Sequence, residues 1–531
     1  MKNGCEARAH AARIYYNHPH KNFKVFLKID FMNAFNMARR DELLHLIQKI
    51  SPELFPFLQQ CYGRPSNLIY GDFVILSQRG IQQGDPLGPD LFCLLIDALV
   101  KSLKSEFNVW YLDDGTIGDT PDIVLSDFQR IIEVAATLGL LINPNKCELS
   151  FLGPIDEKQK QAILSKFRNL APGIQLINDN DAFLLGSPLN DASIPKNLNS
   201  KIENLKKFSH RLTKLSGHSG YFLLKHSFST PRLVYFLRSS PTWRYPQLLE
   251  DYDAVLKVSL ETLTNSTLDI NSWLQSSLPV KLGGLGIRHA IDLCLPSFMA
   301  SFHNVLPIVS SLLPMNFQDL VEEEGLSLWI NKYEQEPPPI ISQGLQKFWE
   351  YPIFKNIQET IFKSTVTLED KARILAAQEP KAGCWLDVIP SPSLGTHLDD
   401  DSFRIACALR LGTSICHPHS CISCGKAVDK FGRHGLSCTM SSGRHSRLSI
   451  CNDIIKRSLH SAGYPSLIEP AGLSRSDGKR PDGMTQIPWS RGKSLIWDFT
   501  CTDTFAAYYI SETSLKPGAA AKRAETRKLK V

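Results

Sequence analysis

Apolar and polar residues fall along the chain in runs that set out strands and helices in turn. Residues 23–30 (Phe-Lys-Val-Phe-Leu-Lys-Ile-Asp) read as a strand that ends on a carboxylate, Asp30. Leu43, Leu44, Ile47 and Ile50 then mark one face of a helix over 39–50, which Pro52 stops. Residues 61–79 are turn-rich, with Gly63, Pro65, Asn67 and Gly71-Asp72. Three glycines punctuate Gln78-Arg79-Gly80-Ile81-Gln82-Gln83-Gly84-Asp85-Pro86-Leu87-Gly88-Pro89, where backbone can lie close to a ligand. Pro89 suits a first helical turn, and Leu91, Leu95, Ala98 and Leu99 continue it as a buried face. Trp110-Tyr111-Leu112-Asp113-Asp114-Gly115-Thr116-Ile117 predicts a β-hairpin whose tight turn carries two adjacent acids. Val124, Phe128, Ile131, Ala135 and Leu138 recur at helical spacing, closed by Gly139. A short strand, Leu140-Leu141-Ile142, leads to Lys146, and the apolar stretch 183–189 is broken at Gly186.

The pattern turns mostly helical after that. Ile202, Leu205, Phe208, Leu212 and Leu215 form an amphipathic stripe with Lys201, Lys206, Lys207 and Lys214 beside it. Residues 240–400 read as helices joined by loops at Leu282-Gly283-Gly284-Leu285-Gly286 and Glu336-Pro337-Pro338-Pro339, and no chemistry is evident there. The first loop lacks a following Lys-Ser/Thr phosphate signature. The second suits a stiff connector. Residues 1–22 read as the end of a helix and a loop.

Two acids at a hairpin tip repel each other, and a divalent cation held with other oxygens makes them tolerable. The plainer alternative is a solvated Asp-Gly turn. Farther on, Cys421 and Cys424 on a tight knuckle are followed by His434 and Cys438, which is tetrahedral zinc spacing. Free thiols in a loop are the alternative, and Cys416, His417, His419, His445 and Cys451 leave open which four bind. Beyond them Arg480-Pro481-Asp482-Gly483 precedes a second acid, Asp498, at the end of Leu495-Ile496-Trp497. The tail from Lys516 carries six basic residues against Glu525: a helix touching phosphates, or a solvated one.

Composition narrows the class. A chain of 531 residues holds roughly three domains. With 43% hydrophobic and 21% charged residues it is a folded protein, with no apolar run of membrane-span length and no signal-peptide core. Thirteen scattered cysteines suit a reducing compartment with thiols or metal sites. A net charge of +6 leans mildly toward polyanionic partners.

The order of acidic strand, helix, Gly-rich loop and helix, Asp-Asp hairpin, helix, Lys strand and Leu-Gly-Ser turn resembles the palm of reverse transcriptases. Asp30 with Phe35 looks like the first catalytic motif, Gln83-Gly84-Asp85-Pro86-Leu87 the second and Tyr111-Leu112-Asp113-Asp114 the third. Lys146 lies in the fourth, and Leu185-Gly186-Ser187 resembles the primer grip. The resemblance implies in-line phosphoryl transfer assisted by two Mg²⁺ ions about 4 Å apart. It makes Asp30 and Asp113 ligands of both ions and Asp114 a nearby third carboxylate. Phe31 and Met32 would offer backbone groups to the triphosphate, and Gln83 and Gly84 would approach the incoming base and template. Phe35 would lie under the sugar and exclude a 2′-hydroxyl, or it is a core aromatic. Lys146 would neutralise the leaving pyrophosphate, or it is a surface lysine. The basic stripe near residue 205 would be the thumb, holding template and primer through their phosphates.

The zinc knuckle followed by R-P-D and a second acid resembles the restriction-like endonuclease of site-specific non-LTR retrotransposons, with Asp482 and Asp498 as Mg²⁺ ligands. The spacer is slightly long, and the expected lysine two residues after the second acid is Thr500. Lys493 or Lys528 would substitute, with Glu469 as an upstream acid. The resemblance implies an α+β architecture. It comprises a right-hand palm, an antiparallel sheet with packed helices, over 1–190 with fingers largely missing. A thumb-like helical region over 191–300, a helical linker over 301–410 and a zinc knuckle over 411–460 follow, and an incomplete α/β nuclease occupies 461–531. The implied activity is an RNA-directed DNA polymerase coupled to a DNA-nicking endonuclease for target-primed integration. Its partners would be an RNA template, a DNA primer or target and dNTPs, with no membrane, and its place the nucleus. A truncated or inactive nucleic-acid-binding remnant and a group II intron-type maturase are the alternatives; only 22 residues precede Phe23.

Overall fold

The computed structural model describes residues 3–20, 22–313, 320–438, 440, 443–473, 478 and 480–529, with the backbone alone at 320, 443–445 and 529. The chain forms two compact units. The first comprises Met1–Lys201, Leu233–Leu249 and Ile291–Tyr351; the second comprises Ile202–Arg232, Glu250–Ala290 and Pro352–Val531. The architecture is mixed α/β, a multi-stranded sheet with packed helices, as the pattern of the chain implies.

In the first unit the strands are β1 (Lys24–Ile29), β2 (Ser66–Tyr70), β3 (Phe73–Ser77), β4 (Phe107–Tyr111), β5 (Asp114–Asp119), β6 (Glu148–Leu152), β7 (Gln175–Leu176), β8 (Phe183–Leu184) and β9 (Ser187–Pro188). Five of them form one sheet in the order β4-β5-β1-β6-β7, antiparallel except for the last pair. Side chains alternate across a strand. Val25, Leu27 and Ile29 therefore share one face, where they join Phe92, Leu95 and Ile96 of the helix Gly88–Lys101 and Val124, Phe128 and Ile131 of the helix Pro121–Thr137. Each such burial is worth about 1.5–3 kcal/mol. The other face is covered by the helix Gly4–Asn17: Tyr15 stacks on Phe107 at 4.7 Å, and Tyr16 meets Phe26 edge-on at 5.5 Å. A Cβ on Gly118 would lie 2.6 Å from the Tyr15 ring, so only glycine lets that ring lie flat on β5. Covered on both faces, β1 needs a nearly continuous apolar run.

Three segments differ from expectation. The N-terminal segment is a full helix with ten buried residues, His10 and Arg13 among them. Those two polar residues hide its apolar period. His10 is nevertheless satisfied, through Ser301 Oγ at 3.0 Å. The turn-rich stretch 61–79 contains the β2–β3 hairpin, joined by Gly71-Asp72 and exposed on both faces, so it shows no in–out alternation. Leu140-Leu141-Ile142 is only a bridge from Ile142 to Phe31; the strand of that region is β6. The helix Ala290–Leu312 is long and apolar enough to cross a membrane by length and composition, though Asp292, His303 and Asn304 leave it no unbroken apolar run of that length. Pro296 and Pro307 interrupt its pattern, and Phe298, Met299, Phe302 and Val305 make it a core helix.

The second unit is helical, with two small β elements. These are the pair β10 (His419–Ser420) and β11 (Ala427–Val428), and an antiparallel sheet of β12 (Ser466–Ile468), β13 (Gly483–Thr485) and β14 (Ile496–Trp497). The Gly-rich loop at 282–286 is structural. Buried Arg410 donates to the carbonyls of Gly284 (3.0 Å) and Val280 (2.6 Å), and a Cβ on Gly284 would lie 2.0 Å from the Leu278 carbonyl.

Candidate functional site

Strand register gathers the three N-terminal acids. Ile29 pairs with Gly115 and Tyr111 with Asp114, so Asp30 leaves β1 beside the turn that holds Asp113 and Asp114. A two-residue loop between right-twisted strands wants a positive φ at its first residue. Leu112 adopts φ 57° there, and for a leucine that costs of order 1–3 kcal/mol. Asp30 Oδ1 is buried without a hydrogen-bond partner, and Lys146 Nζ stands 4.0 Å from it. Such an oxygen is costly until something positive meets it. Asp114 is raised above its usual carboxylate range, first by loss of hydration and then by repulsion from Asp113 and Asp30, against the pull of Lys28 and Lys146.

That shift has a sign in stability. A carboxyl that holds its proton more tightly when folded weakens the fold as pH climbs from the unfolded value through the raised folded one, and the cost then persists. Asp114→Asn is expected to raise the Tm at pH 7 in EDTA, the gain vanishing below about pH 4. A Tm at pH 7 that stays level or falls would show that no repulsion is stored at the turn.

The Gly-rich loop docks on the segment after Asp30. Ile81 N–H donates to the Phe35 carbonyl at 2.7 Å and Gly80 N–H to that of Ala38 at 2.8 Å, while buried Arg40 binds the carbonyls of Gly80 and Ser77 at 2.8 Å each. Gln83 and Gly84 stay exposed, and Gly84, at φ 93°, has open space where a Cβ would stand. Phe35 is half-buried and stacks on Phe92 at 4.7 Å, so one face of it belongs to the core. The Phe31 side chain is buried and stacked on Trp110, so only its backbone is available. The Met32 N–H is taken by the Leu141 carbonyl at 2.8 Å and is not available to a triphosphate.

Leu185 and Gly186 form the β8–β9 turn with φ 49° and 78°, and the Leu185 carbonyl accepts from Tyr235 Oη at 3.0 Å. Tyr235 shares the helix Val234–Ser239 with Arg238, which grips Glu6 at 2.7 and 2.9 Å. From the same N-terminal helix Arg8 donates to the Trp110 carbonyl at the base of the acidic hairpin. One helix thus braces both the acidic turn and the Leu185 turn. Sequence reasoning missed Glu6, Arg8, Tyr235 and Arg238, whose partners lie far off in the chain and leave no local signal.

In the second unit the ligand atoms of Cys421, Cys424, His434 and Cys438 all lie within 4.8 Å of one another. Cys421 and Cys438 sulfurs are 3.9 Å apart, close to the separation of about 3.8 Å that two Zn–S bonds of 2.3 Å enforce in a tetrahedron. Cys424 Sγ and His434 Nε2 are 3.1 Å apart. The backbone N–H groups of Cys424 and then Ser423 push the Cys421 thiol down to about 6, the thiolate character a metal needs. The geometry selects these four. Cys416 faces the Asp429 carbonyl and His419 the His417 carbonyl, and the His445 side chain lies outside the described residues. No other His, Cys, Asp or Glu group among the described residues is so tightly gathered, the three N-terminal acids included.

Asp482 precedes β13 and Asp498 follows β14. Because Gly483 pairs with Trp497, the two acids come side by side. Asp482 Oδ2 accepts the Phe499 N–H at 2.6 Å, and Asp498 is ion-paired with Lys528. All three line a cleft of about 800 Å³ with Arg447 and Tyr509. Of the two lysines left open by the sequence, Lys528 reaches the acids, whereas Lys493 closes a turn with Ser490. Glu469 pairs with Arg480 at 3.1 Å.

Comparison with known proteins places a family match within the first unit. The reverse transcriptase (RNA-dependent DNA polymerase) family matches residues 3–176. The retrovirus-related Pol polyprotein from a type-2 retrotransposable element of Drosophila melanogaster is 26% identical over 164 residues, which cover 27% of this chain and 16% of the polyprotein. Among solved structures a telomerase from Candida albicans, in complex with a fragment of telomeric RNA, matches at 12% identity. It does so over 60% of this chain and 55% of its own, with a TM-score of 0.25. Residues 3–176 thus form a reverse-transcriptase-like domain homologous to a retrotransposon Pol protein, and a Cys₃His metal-binding cluster follows toward the C-terminus.

Proposed function

We propose that this chain is an RNA-directed DNA polymerase of a retrotransposon, joined to a DNA-nicking nuclease. The observation that carries the reading is the meeting of Asp30 with the Asp113-Asp114 turn, where a buried carboxylate oxygen has no hydrogen-bond partner among the described residues and Lys146 Nζ stands 4.0 Å off. Such a donor set, hard oxygens on rigid strand ends, fits Mg²⁺. Asp30 and Asp113 would hold it, with Asp114 beside them. Bound there, Mg²⁺ would supply charge stabilisation at the attacking and leaving oxygens of phosphoryl transfer. The chain's own residues do the rest. Lys146 stands where a cation can take up charge on departing pyrophosphate. Gln83 and Gly84 leave backbone open toward the base and template, and the braced Leu185-Gly186 turn supports the primer end. In the second unit Asp482, Asp498 and Lys528 present two acids and a cation to a phosphodiester of target DNA. The palm over 1–190, the helical thumb and linker, the zinc knuckle and the nuclease over 461–531 are the domains of this reading. Its setting is nuclear, with element RNA as template and nicked DNA as primer.

The test is extension of a DNA primer on an RNA template with dNTPs and Mg²⁺, beside nicking of supercoiled plasmid. Salt-sensitive binding without either activity would instead identify an inactive remnant. Phe35 gives a sharper prediction. Since one face of its ring is fixed on Phe92, the free edge can act as a sugar gate, and Phe35→Ala is expected to raise ribonucleotide over deoxynucleotide incorporation by about tenfold or more. Unchanged discrimination would make it a core aromatic only.

A further inference from the structure

The helix Ala519–Leu529 has two working sides. Lys528 reaches into the acid cleft, whereas Lys522, Arg523 and Arg527 line a second groove of about 480 Å³ with Lys516, Tyr508 and Glu512. Tyr509 lines both, so the groove and the cleft adjoin.

The charge in this groove is unbalanced and partly immobilised. Four cations face a single carboxylate, Glu512, and Arg523 engages it at 2.6 Å. Arg523 also donates to Tyr508 Oη at 2.6 Å and lies 4.4 Å over that ring. Among the described residues Lys516, Lys522 and Arg527 have no acidic partner. Three unpaired cations lining one groove repel one another unless an anion lies between them. A small anion would answer one or two of them. Cations spread along one groove, from Lys516 before the helix to Lys522 and Arg527 on it, beside a paired-acid cleft match an anion whose charges repeat, the backbone of a nucleic acid.

We propose that this groove holds the phosphates of the DNA strand flanking the bond presented to Asp482 and Asp498. The assignment rests on the nuclease reading for the identity of its ligand, and its test is separable from that reading. Binding of the full chain to a fluorescein-labelled DNA duplex is measured by anisotropy across a salt series. The variant Lys516→Gln/Lys522→Gln/Arg527→Gln leaves the Arg523 brace intact and keeps good helix formers on the helix. Its slope of log K against log salt is expected to be less steep by about 2.7, three phosphates at about 0.9 each. Asp482→Asn, with the groove untouched, is expected to keep the parent slope while losing nicking. An unchanged slope in the triple variant overturns the groove assignment whether or not the chain nicks DNA. A reduced slope from a chain that never nicks upholds the groove and overturns the nuclease instead.

Discussion

Asp113→Asn is expected to lower Mg²⁺-dependent dNTP incorporation on an RNA template by ~10³-fold or more while leaving the fold intact. The size follows from what the side chain is asked to do. A carboxylate that holds a divalent cation at the reacting oxygens accounts for several kcal/mol of barrier, and about 4 kcal/mol is a thousandfold. The fold is spared because asparagine keeps the shape of aspartate and the turn is set elsewhere, by positive φ at Leu112 and by Trp110 lying over Gly115. Asp30→Asn should cost as much, since Asp30 is the other half of the donor set and its buried oxygen has no hydrogen bond among the described residues to hold it otherwise. Primer extension under single-turnover conditions, with thermal melting of each variant alongside, checks both. If Asp113→Asn retains incorporation within tenfold of the parent, the catalytic cation is not at this turn and the polymerase reading fails with it.

The first unit was legible in the sequence wherever a local pattern coincided with a tertiary demand. β1 is covered on both faces, so its apolar run was plain, and the hairpin announced itself by two acids and a glycine between β-prone residues. The β2–β3 hairpin was missed because neither face is buried and its turn residues dominate the composition. The N-terminal helix was underread because His10 and Arg13, polar in type, are buried in hydrogen-bonded places that only the folded chain supplies. The bracing of Leu185 by Tyr235 and of Trp110 by Arg8 was illegible for a related reason, since such contacts join residues 50 and 102 positions apart. In the second unit the zinc spacing was evident but not the choice of ligands, and the two acids at strand ends were evident but not their neighbour. Lys528 reaches Asp498 from 30 residues away, and no spacing rule selects it over Lys493.

Removing the metal from the Cys₃His cluster is expected to unfold residues 419–438 locally, the largest single loss of stability in the chain. The segment has almost nothing else to hold it. Its strands β10 and β11 are two residues each, Ile422 is fully exposed, and only Val428 and the ligand Cys438 are buried. A module this small cannot gather a hydrophobic core, and in zinc-finger peptides the metal contributes about 10–16 kcal/mol, most of what makes them fold. Loss should stay local, because what ties the module to the rest of the unit is polar and at its edge: Arg433 on Asp370 at 2.6 Å and over the Phe505 ring, and Arg447 on the Leu436 carbonyl at 2.8 Å. The purified chain should carry one zinc. Chelation, or Cys421→Ser, should abolish amide protection over 419–438 while most of the helical circular dichroism survives. Cys416→Ser and Cys451→Ser should leave both zinc content and protection unchanged, since neither thiol belongs to the cluster. A chain without zinc whose protection over 419–438 survives chelation would mean that hydrogen bonds alone, such as Cys421 N–H to the Lys426 carbonyl and Gly425 N–H to that of Cys421, hold the knuckle. The four ligands would then be free thiols and a histidine, brought together by the fold without a metal.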